Sequence, residues 1–358
     1  MYAVIMAGGK GTRFWPKSRE KMPKHLLDIG EEGTIIQETV NRIAPLIPPE
    51  NILIVTGLTH AEELMRQLPG IPRENILIEP MGRNTAPCIG LAALYIQRRA
   101  PDDVMVVLPA DHLIKEPARF RHMISIAAEI ARNGDNLVTI GIKPTGPETG
   151  YGYLEQGSLK TTIKGEKIYE VRSIREKPAL NQAKAFLKKG RFYWNSGMFI
   201  WRAEVILQAI DKWLPDLSKG LLEIKSAIAT NTEQDVIHRV YAALTPISID
   251  YGVMERAENT LLIKGDFDWS DVGSWDALWE ISDKDDLGNA ANIKENFIGL
   301  DCRNSLIHSP RKLVAMVGVE DLIVVETDDA LLVCKRGCSQ DVKKIVEILE
   351  AEGMKNLL

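Results

Sequence analysis

Tyr2-Ala3-Val4-Ile5-Met6-Ala7-Gly8-Gly9-Lys10-Gly11-Thr12-Arg13 opens the chain, and its reading decides the fold. A short apolar run of strand type, Tyr2 to Ala7, empties directly into glycines, and Pro23-Lys24-His25-Leu26 follows a little further on. Glycine lets the backbone take positive φ and come close to a ligand. Successive backbone N–H groups then converge on an anion. Arg13 and Lys24 add fixed positive charge that N–H groups alone cannot supply. The stretch is built to hold phosphates, with Gly8, Gly9, Gly11 and Thr12 as the candidate cradle. An ordinary tight turn uses glycine in the same way. The chain holds no G-x-x-x-x-G-K-[ST], and the third glycine place of the dinucleotide pattern, counted from Gly9, is Phe14.

Outward from this loop, short apolar strands alternate with segments of helical period. Strands are expected at Tyr2–Ala7, Ile52–Thr56, Ile76–Glu79, Val104–Leu108 and Leu137–Ile142. One helical segment carries Ile35, Ile36, Val40, Ile43 and Ile47; another runs from Pro87 to Arg99 with Thr85 as its N-cap. The alternation predicts an α/β domain with a mostly parallel sheet. After about Asp283 the pattern changes to short strands broken by Asn, Asp, Gly and Pro: Phe297–Leu300, Leu313–Val319, Leu322–Glu326 and Leu331–Lys335. A last helix shows one apolar stripe of Val342, Ile345, Val346 and Leu349. The boundary is expected near residues 284–290, giving domains 1–285 and 286–358. No fixed-period repeat or low-complexity linker is evident in the sequence.

With 45% hydrophobic and 26% charged residues, the 358-residue chain has the profile of a soluble globular protein. A net charge of −5 argues against general binding to nucleic acid or anionic membrane. The N-terminal apolar run is too short for a signal peptide, and no run approaches a membrane span. Cys88, Cys302, Cys334 and Cys338 are scattered, which fits reduced thiols in a cytoplasm better than a disulfide framework or a zinc site.

Two acids stand out. Asp111 follows the apolar run Val104–Leu108 in Leu108-Pro109-Ala110-Asp111-His112, where open α/β sheets bind ligands. A helix cap is the plainer reading of it. Asp271 lies in Asp268-Trp269-Ser270-Asp271-Val272-Gly273-Ser274-Trp275 and, read plainly, starts the helix through Trp275 and Leu278. Four further segments are too specific for surface loops: Glu79-Pro80-Met81-Gly82-Arg83-Asn84-Thr85, Gly150-Tyr151-Gly152-Tyr153, Glu176-Lys177-Pro178 and Asn195-Ser196-Gly197-Met198-Phe199. The plainer readings of the first three are, in turn, a capped loop, a hairpin bend and a solvated ion pair. Asp250-Tyr251-Gly252-Val253-Met254-Glu255 reads as mostly structural.

The pattern G-G-x-G-T-R-x-x-P-x-S-R-x-x-x-P-K resembles the N-terminal signature of the sugar-nucleotide pyrophosphorylases. Within them, Phe14 to Glu20 is similar to the mannose-1-phosphate guanylyltransferases. The resemblance covers roughly residues 1–280 and, more weakly, the tail. It implies a Rossmann-like, GT-A-like nucleotidyltransferase domain and a small β-rich, left-handed β-helix-like C-terminal domain. It implies transfer of GMP from GTP to mannose 1-phosphate, giving GDP-mannose and pyrophosphate, with Mg²⁺ on Asp111 and Asp271 and Asp268 as a weaker ligand. His112 is then structural. Arg13, Lys24, Asp111 and Lys177 are the implied catalytic residues, with Lys177 on the sugar phosphate. Gly152, Glu176 and Asn195 are the implied sugar contacts. Glu79 to Pro87 matches the base-binding segment. Guanine presents adjacent N1–H and N2–H₂ donors, which suit the Glu79 carboxylate, while Asn84 or Thr85 holds the other edge; Glu79 as a loop stabiliser stays open. Arg83 is left between a phosphate contact and an ion pair.

Relatives commonly carry P-K-Q where this chain has Pro23-Lys24-His25. Longer bifunctional members add a cupin-type isomerase domain, so no isomerase activity is expected of a chain ending at Leu358. A homodimer is compatible with the resemblance. Another nucleoside triphosphate and hexose pair, or a non-catalytic sugar-nucleotide sensor, are the alternative readings.

Overall fold

Continuous apolar runs can be buried on both faces, and they become the strands of one large sheet. The structure is a computed structural model and describes residues 1–9, 11–29 and 33–358; Lys10 of the glycine loop and residues 30–32 lie outside the described residues. The chain divides into two compact units. The first comprises residues 1–8, 39–110 and 114–269; the second comprises residues 9–38, 111–113 and 270–358.

The strands, in chain order, are β1 (Tyr2–Ala7), β2 (Ile52–Gly57), β3 (Ile76–Glu79), β4 (Val104–Pro109), β5 (Leu113–Ile114), β6 (Leu137–Ile142), β7 (Tyr153–Ile163), β8 (Glu166–Arg175), β9 (Phe192–Arg202), β10 (Thr260–Gly265) and β11 (Trp269–Ser270). In the first unit, nine of them form a sheet of order β3-β2-β1-β4-β9-β6-β10-β8-β7. β3, β2, β1 and β4 run parallel, as do β6 and β10. β9 runs antiparallel between β4 and β6. The strands predicted from the sequence at Tyr2–Ala7, Ile76–Glu79 and Leu137–Ile142 form with those bounds. Helix Thr85–Arg99 packs its Ile89, Leu91, Ala92, Ala93 and Ile96 into one core with Val4, Val55, Val107, Phe199 and Trp201.

β9 contains an irregularity that matters for the site. Thr139 pairs with Phe199 and Gly141 with Asn195, so β6 advances two residues while β9 advances four. Gly197 takes φ +69°, the left-handed region glycine enters without cost. Ser196 closes the loop by donating to the Ile140 carbonyl at 2.7 Å. Asn195-Ser196-Gly197 is therefore a bulge, which re-aims a side chain out of a regular ladder.

The second unit holds β12 (Ala290–Ala291), β13 (Phe297–Leu300), β14 (Leu306–His308), β15 (Val314–Val317), β16 (Leu322–Glu326) and β17 (Leu331–Lys335), followed by helix Val342–Ala351. β12, β14 and β16 are parallel, as are β13 and β15. Ala290 pairs with Leu306, Leu306 with Ile323 and Phe297 with Val314. Those partners are 16 to 17 residues apart, a coil repeat that the sequence did not reveal. The rungs are two to five residues long and their turns vary, so self-similarity at the residue level is faint. The core of this unit joins Phe14, Trp15, Leu27 and Ile35 to Val272, Trp275, Leu306, Ile323, Val342 and Val346. The apolar residues of the N-terminal signature are thus part of the β-helical core.

Candidate active site

In the second unit, two short turns carry the cations. Thr12–Phe14 presents Arg13 to solvent, with its guanidinium 3.4 Å from the Gly273 carbonyl. Lys24–Leu26 buries Lys24. Gly11 takes φ +62°, and a Cβ there would lie 2.5 Å from Lys24 Cβ and 2.7 Å from its backbone N. No other residue fits, because the two turns touch at that point.

The Lys24 ammonium donates to Asp111 Oδ2 at 2.9 Å and to the backbone carbonyl of Asp271. Desolvation raises the Asp111 pKa. The Lys24 ammonium, then His112 and His25, more than reverse this and bring it to about 2. The carboxylate is ionised at neutrality while its side chain stays 40% exposed. Asp271 does not start a helix: helix Trp275–Ile281 begins later and is capped by the Ser274 hydroxyl. Asp271 sits instead in a constrained loop, where its Oδ1 accepts from Gly273 N at 3.1 Å. Val272, buried and β-branched, takes φ +42° there. Such backbone costs about 1–3 kcal/mol and persists only where its surroundings enforce it.

Among the described residues, no group of three or more His, Cys, Asp or Glu is arranged to hold a metal. A hard cation held by one or two carboxylates with phosphate oxygens and water needs no larger group. The donor set fits that case, since an ammonium already rests on the Asp111 carboxylate and the Asp271 carbonyl. Asp268, in the first unit, takes φ +49° and accepts from Lys115 N at 3.1 Å through its carbonyl, a turn-forming role.

The base-type segment lies in the first unit. Glu79 ends β3 and is only 6% exposed, and its Oε1 has no hydrogen-bond partner among the described residues. Burial pushes its carboxyl up to about 7, against a hydrogen bond from Tyr241. Leaving such an oxygen unmet costs about 1–3 kcal/mol. Gly8, at the end of β1, leaves room beside it: a Cβ would stand 4.0 Å from Glu79 Oε2. Among the described residues Arg83 makes no ion pair; it donates to the carbonyls of Tyr241 at 2.6 Å and Ala242 at 3.0 Å. The helix cap is Asn84 rather than the expected Thr85: Asn84 Oδ1 accepts from Thr85 N at 2.8 Å, at φ +71°. Thr85 Oγ1 accepts from Ile249 N at 2.8 Å. One polar atom of each is therefore engaged in fixing the helix start.

The sugar-type residues form a cluster in the same unit. A Cβ on Gly152 would lie 2.3 Å from Glu176 Oε2 and 3.2 Å from Asn195 Cβ, so glycine is needed for close approach. Asn195 Oδ1 accepts from Gly197 N and Thr139 Oγ1, each at 3.3 Å, and its Nδ2 donates to Asp250 Oδ1 at 2.7 Å. Asp250 opens a wide helical turn, Asp250–Met254, closed by Glu255 N donating to the Asp250 carbonyl at 2.9 Å. Single wide turns of this kind concentrate at functional sites. Glu255 Oε1 accepts from Glu176 N at 3.0 Å. Burial, then Asp250, pushes the Glu176 carboxyl up to about 7; Lys177 acts in the opposite sense. Lys177 takes φ +46°, and its ammonium stands 3.8 Å from Glu176 Oε1. Sequence reading missed Asp250 and Glu255 as members of this cluster. Their spacing gave no signal, because an ordinary helix does not bring residues five apart into hydrogen-bond register.

Against known proteins, residues 2–287 match the nucleotidyl transferase family and residues 295–349 a mannose-phosphate isomerase/GMP-like β-helix domain. The chain belongs to the nucleotidyl transferase family. Among its relatives is a mannose-1-phosphate guanylyltransferase of Klebsiella pneumoniae, 42% identical over 97% of this chain and 73% of its own length. One of Escherichia coli strain K12 is 40% identical over 99% of this chain and 74% of its own. A solved Thermus thermophilus structure, titled as a mannose-1-phosphate geranyltransferase, superposes with TM-score 0.87 at 32% identity, covering 98% of this chain and 99% of that one. A Helicobacter pylori structure titled as a mannose-6-phosphate isomerase covers 75% of this chain and all of its own at TM-score 0.59 and 25% identity.

Proposed function

We propose that the protein transfers GMP from GTP to α-D-mannose 1-phosphate, releasing GDP-mannose and pyrophosphate. The observation that carries this reading is the Lys24 ammonium on the Asp111 carboxylate and the Asp271 carbonyl, in one unit with Arg13. A fixed acid and fixed cations suit a polyphosphate. The relatives' shared name supports the substrate pair.

A phosphate oxygen of mannose 1-phosphate attacks the α-phosphorus in line. The new P–O bond forms as the α–β bridging bond breaks, and pyrophosphate leaves with the bonding pair. No enzyme nucleophile is required, so the protein contributes positioning and charge neutralisation. Gly8, Gly9, Gly11 and Thr12 offer backbone to the triphosphate, and Arg13 and Lys24 offset its charge. Lys177 holds the attacking phosphate against like-charge repulsion. Glu176, Asn195 and the Gly152 backbone take the sugar hydroxyls. Glu79 takes the guanine N1–H and N2–H₂ donors, with Asn84 or Thr85 on the other edge. Asp111 and Asp271 would hold Mg²⁺, which when bound acts as Lewis acid and template.

The division at 285/286 and a cytoplasmic setting belong to the same reading. Four free cysteines support that setting. Among the described residues, no helix is long and apolar enough to cross a membrane. Pyrophosphate release from GTP, mannose 1-phosphate and Mg²⁺ tests the proposal. Release with a different triphosphate or hexose phosphate redirects the substrate assignment, and no release with any pair favours the sensor reading.

A further inference from the structure

Position 17 is an open place in the signature pattern, between Pro16 and Ser18, yet Lys17 ties three segments together. Its ammonium donates to the Asp28 carbonyl and lies 2.8 Å from His308 Nε2. His308 is 5% exposed, at the end of β14 in the coils, and its ring stands 5.7 Å from that of Trp275. Burial, then Lys17, drives the His308 pKa down to about 3, so the imidazole is neutral and its Nε2 accepts. Burial also brings Lys17 down to about 8, against the pull of Asp28.

Each end of this link meets a turn that carries a cation. The backbone N of Lys17 donates to the Phe14 carbonyl at 2.9 Å, closing the turn after Arg13. Asp28 lies just past the Lys24 turn, which is closed by Leu27 N on the Lys24 carbonyl at 3.0 Å. Turns of three residues have little stability of their own, so their placement comes from outside. The β-helical unit supplies the rest of the mould. Trp275 Nε1 donates to the Trp15 carbonyl at 3.1 Å, Trp15 Nε1 donates to the Leu357 carbonyl at 2.9 Å, and Arg19 pairs with Asp329 at 2.7 Å.

We infer that Lys17 and His308 are a positioning pair: the β-helical coils grip Lys17 through His308, and Lys17 sets the spacing between the Arg13 and Lys24 turns. Neither is a catalytic residue, since neither is assigned a contact with substrate. The inference rests on the nucleotidyltransfer reading above for its kinetic consequence.

The test compares Lys17→Met, His308→Leu, His308→Gln and the Lys17→Met/His308→Leu double variant. Glutamine keeps an acceptor near Nε2; leucine keeps bulk alone. Hydrogen exchange is read at the amides of Phe14, Trp15, Leu26 and Leu27, and initial rates are taken with GTP and mannose 1-phosphate. Expected are faster exchange at those amides in the Met and Leu variants, with about a tenfold lower kcat and a sugar-phosphate KM within about twofold. His308→Gln is expected to recover most of both, and the double variant to be no slower than the slower single one. Wild-type exchange at those amides in Lys17→Met, or losses that multiply in the double variant, would overturn the pair. Should His308→Leu fail to fold, His308→Asn, whose acceptor is too short to reach Lys17, takes its place. If the wild-type protein releases no pyrophosphate with any nucleotide, the transfer reading falls, and the exchange data alone decide the pair.

Discussion

The two polar regions of this chain handle acids in opposite ways. Around Lys24, a carboxylate is held ionised: Asp111 is brought to about 2 by its cationic neighbours. Around Asn195, carboxylates crowd one another: Glu176 is pushed up to about 7 by burial and by Asp250, with Lys177 opposing the rise. The first arrangement suits polyanions and a hard cation. The second suits a neutral polyol, whose hydroxyls donate to carboxylate oxygens without adding charge. One chain joining a phosphate to a sugar needs both.

Removing the ionised acid is expected to have the largest effect. Asp111→Asn should lower turnover about a hundredfold or more with the fold intact, and flatten its Mg²⁺ dependence. Unchanged rate and Mg²⁺ response in steady-state pyrophosphate release would erase the contrast between the regions. Next comes Glu79→Gln, expected to weaken the GTP-over-ATP preference by about ten- to a hundredfold, since glutamine cannot accept both guanine donors. A preference that survives the change places base selection elsewhere. Gly152→Ala, with its Cβ 2.3 Å from Glu176 Oε2, should raise KM for mannose 1-phosphate roughly tenfold and leave KM for GTP alone. A matching rise in both constants would mean that the cluster does not act on the sugar separately.

The smallest effect is a pH slope. Glu79 and Glu176 bind a proton more tightly folded than unfolded, since their pKa values are raised to about 7 from 4.5. Their contribution to stability is full below pH 4.5 and is lost as pH rises through 7. Asp111 is the reverse: its contribution is present above 3.8 and is lost as pH falls toward 2. Melting curves of Glu176→Gln should therefore show less loss between about pH 5 and 7 than wild type, at roughly 2 °C per kcal/mol. Parallel curves for the two proteins would show that Glu176 titrates as an ordinary surface acid.

Much of this was legible in the residues. β1 is apolar throughout, β3 is apolar up to its closing Glu79 and β6 is apolar apart from Thr139 and Gly141, so apolar character alone carries most of their bounds. The glycine at position 11 and the acid at 111 were readable because their chemistry is local to their motifs. β9 was not, because its polar Asn195-Ser196 and its left-handed Gly197 break the strand pattern, and its partners β4 and β6 are distant in sequence. Asp250 and Glu255 escaped for the same reason: their meaning lies in which side chains they meet. The membership of the second unit was also hidden, since Phe14 and Trp15 belong to a core whose other half follows residue 270.

The bulge in β9 has a wider consequence. Beyond it, Phe199 and Trp201 stack with ring centroids 5.2 Å apart in the core. At its start, Asn195 donates to Asp250. The two extra residues act as a slip joint, so a single strand serves as girder at one end and fingertip at the other. The polar end can change its side chains without disturbing the frame, which gives such a scaffold latitude to vary what that end meets.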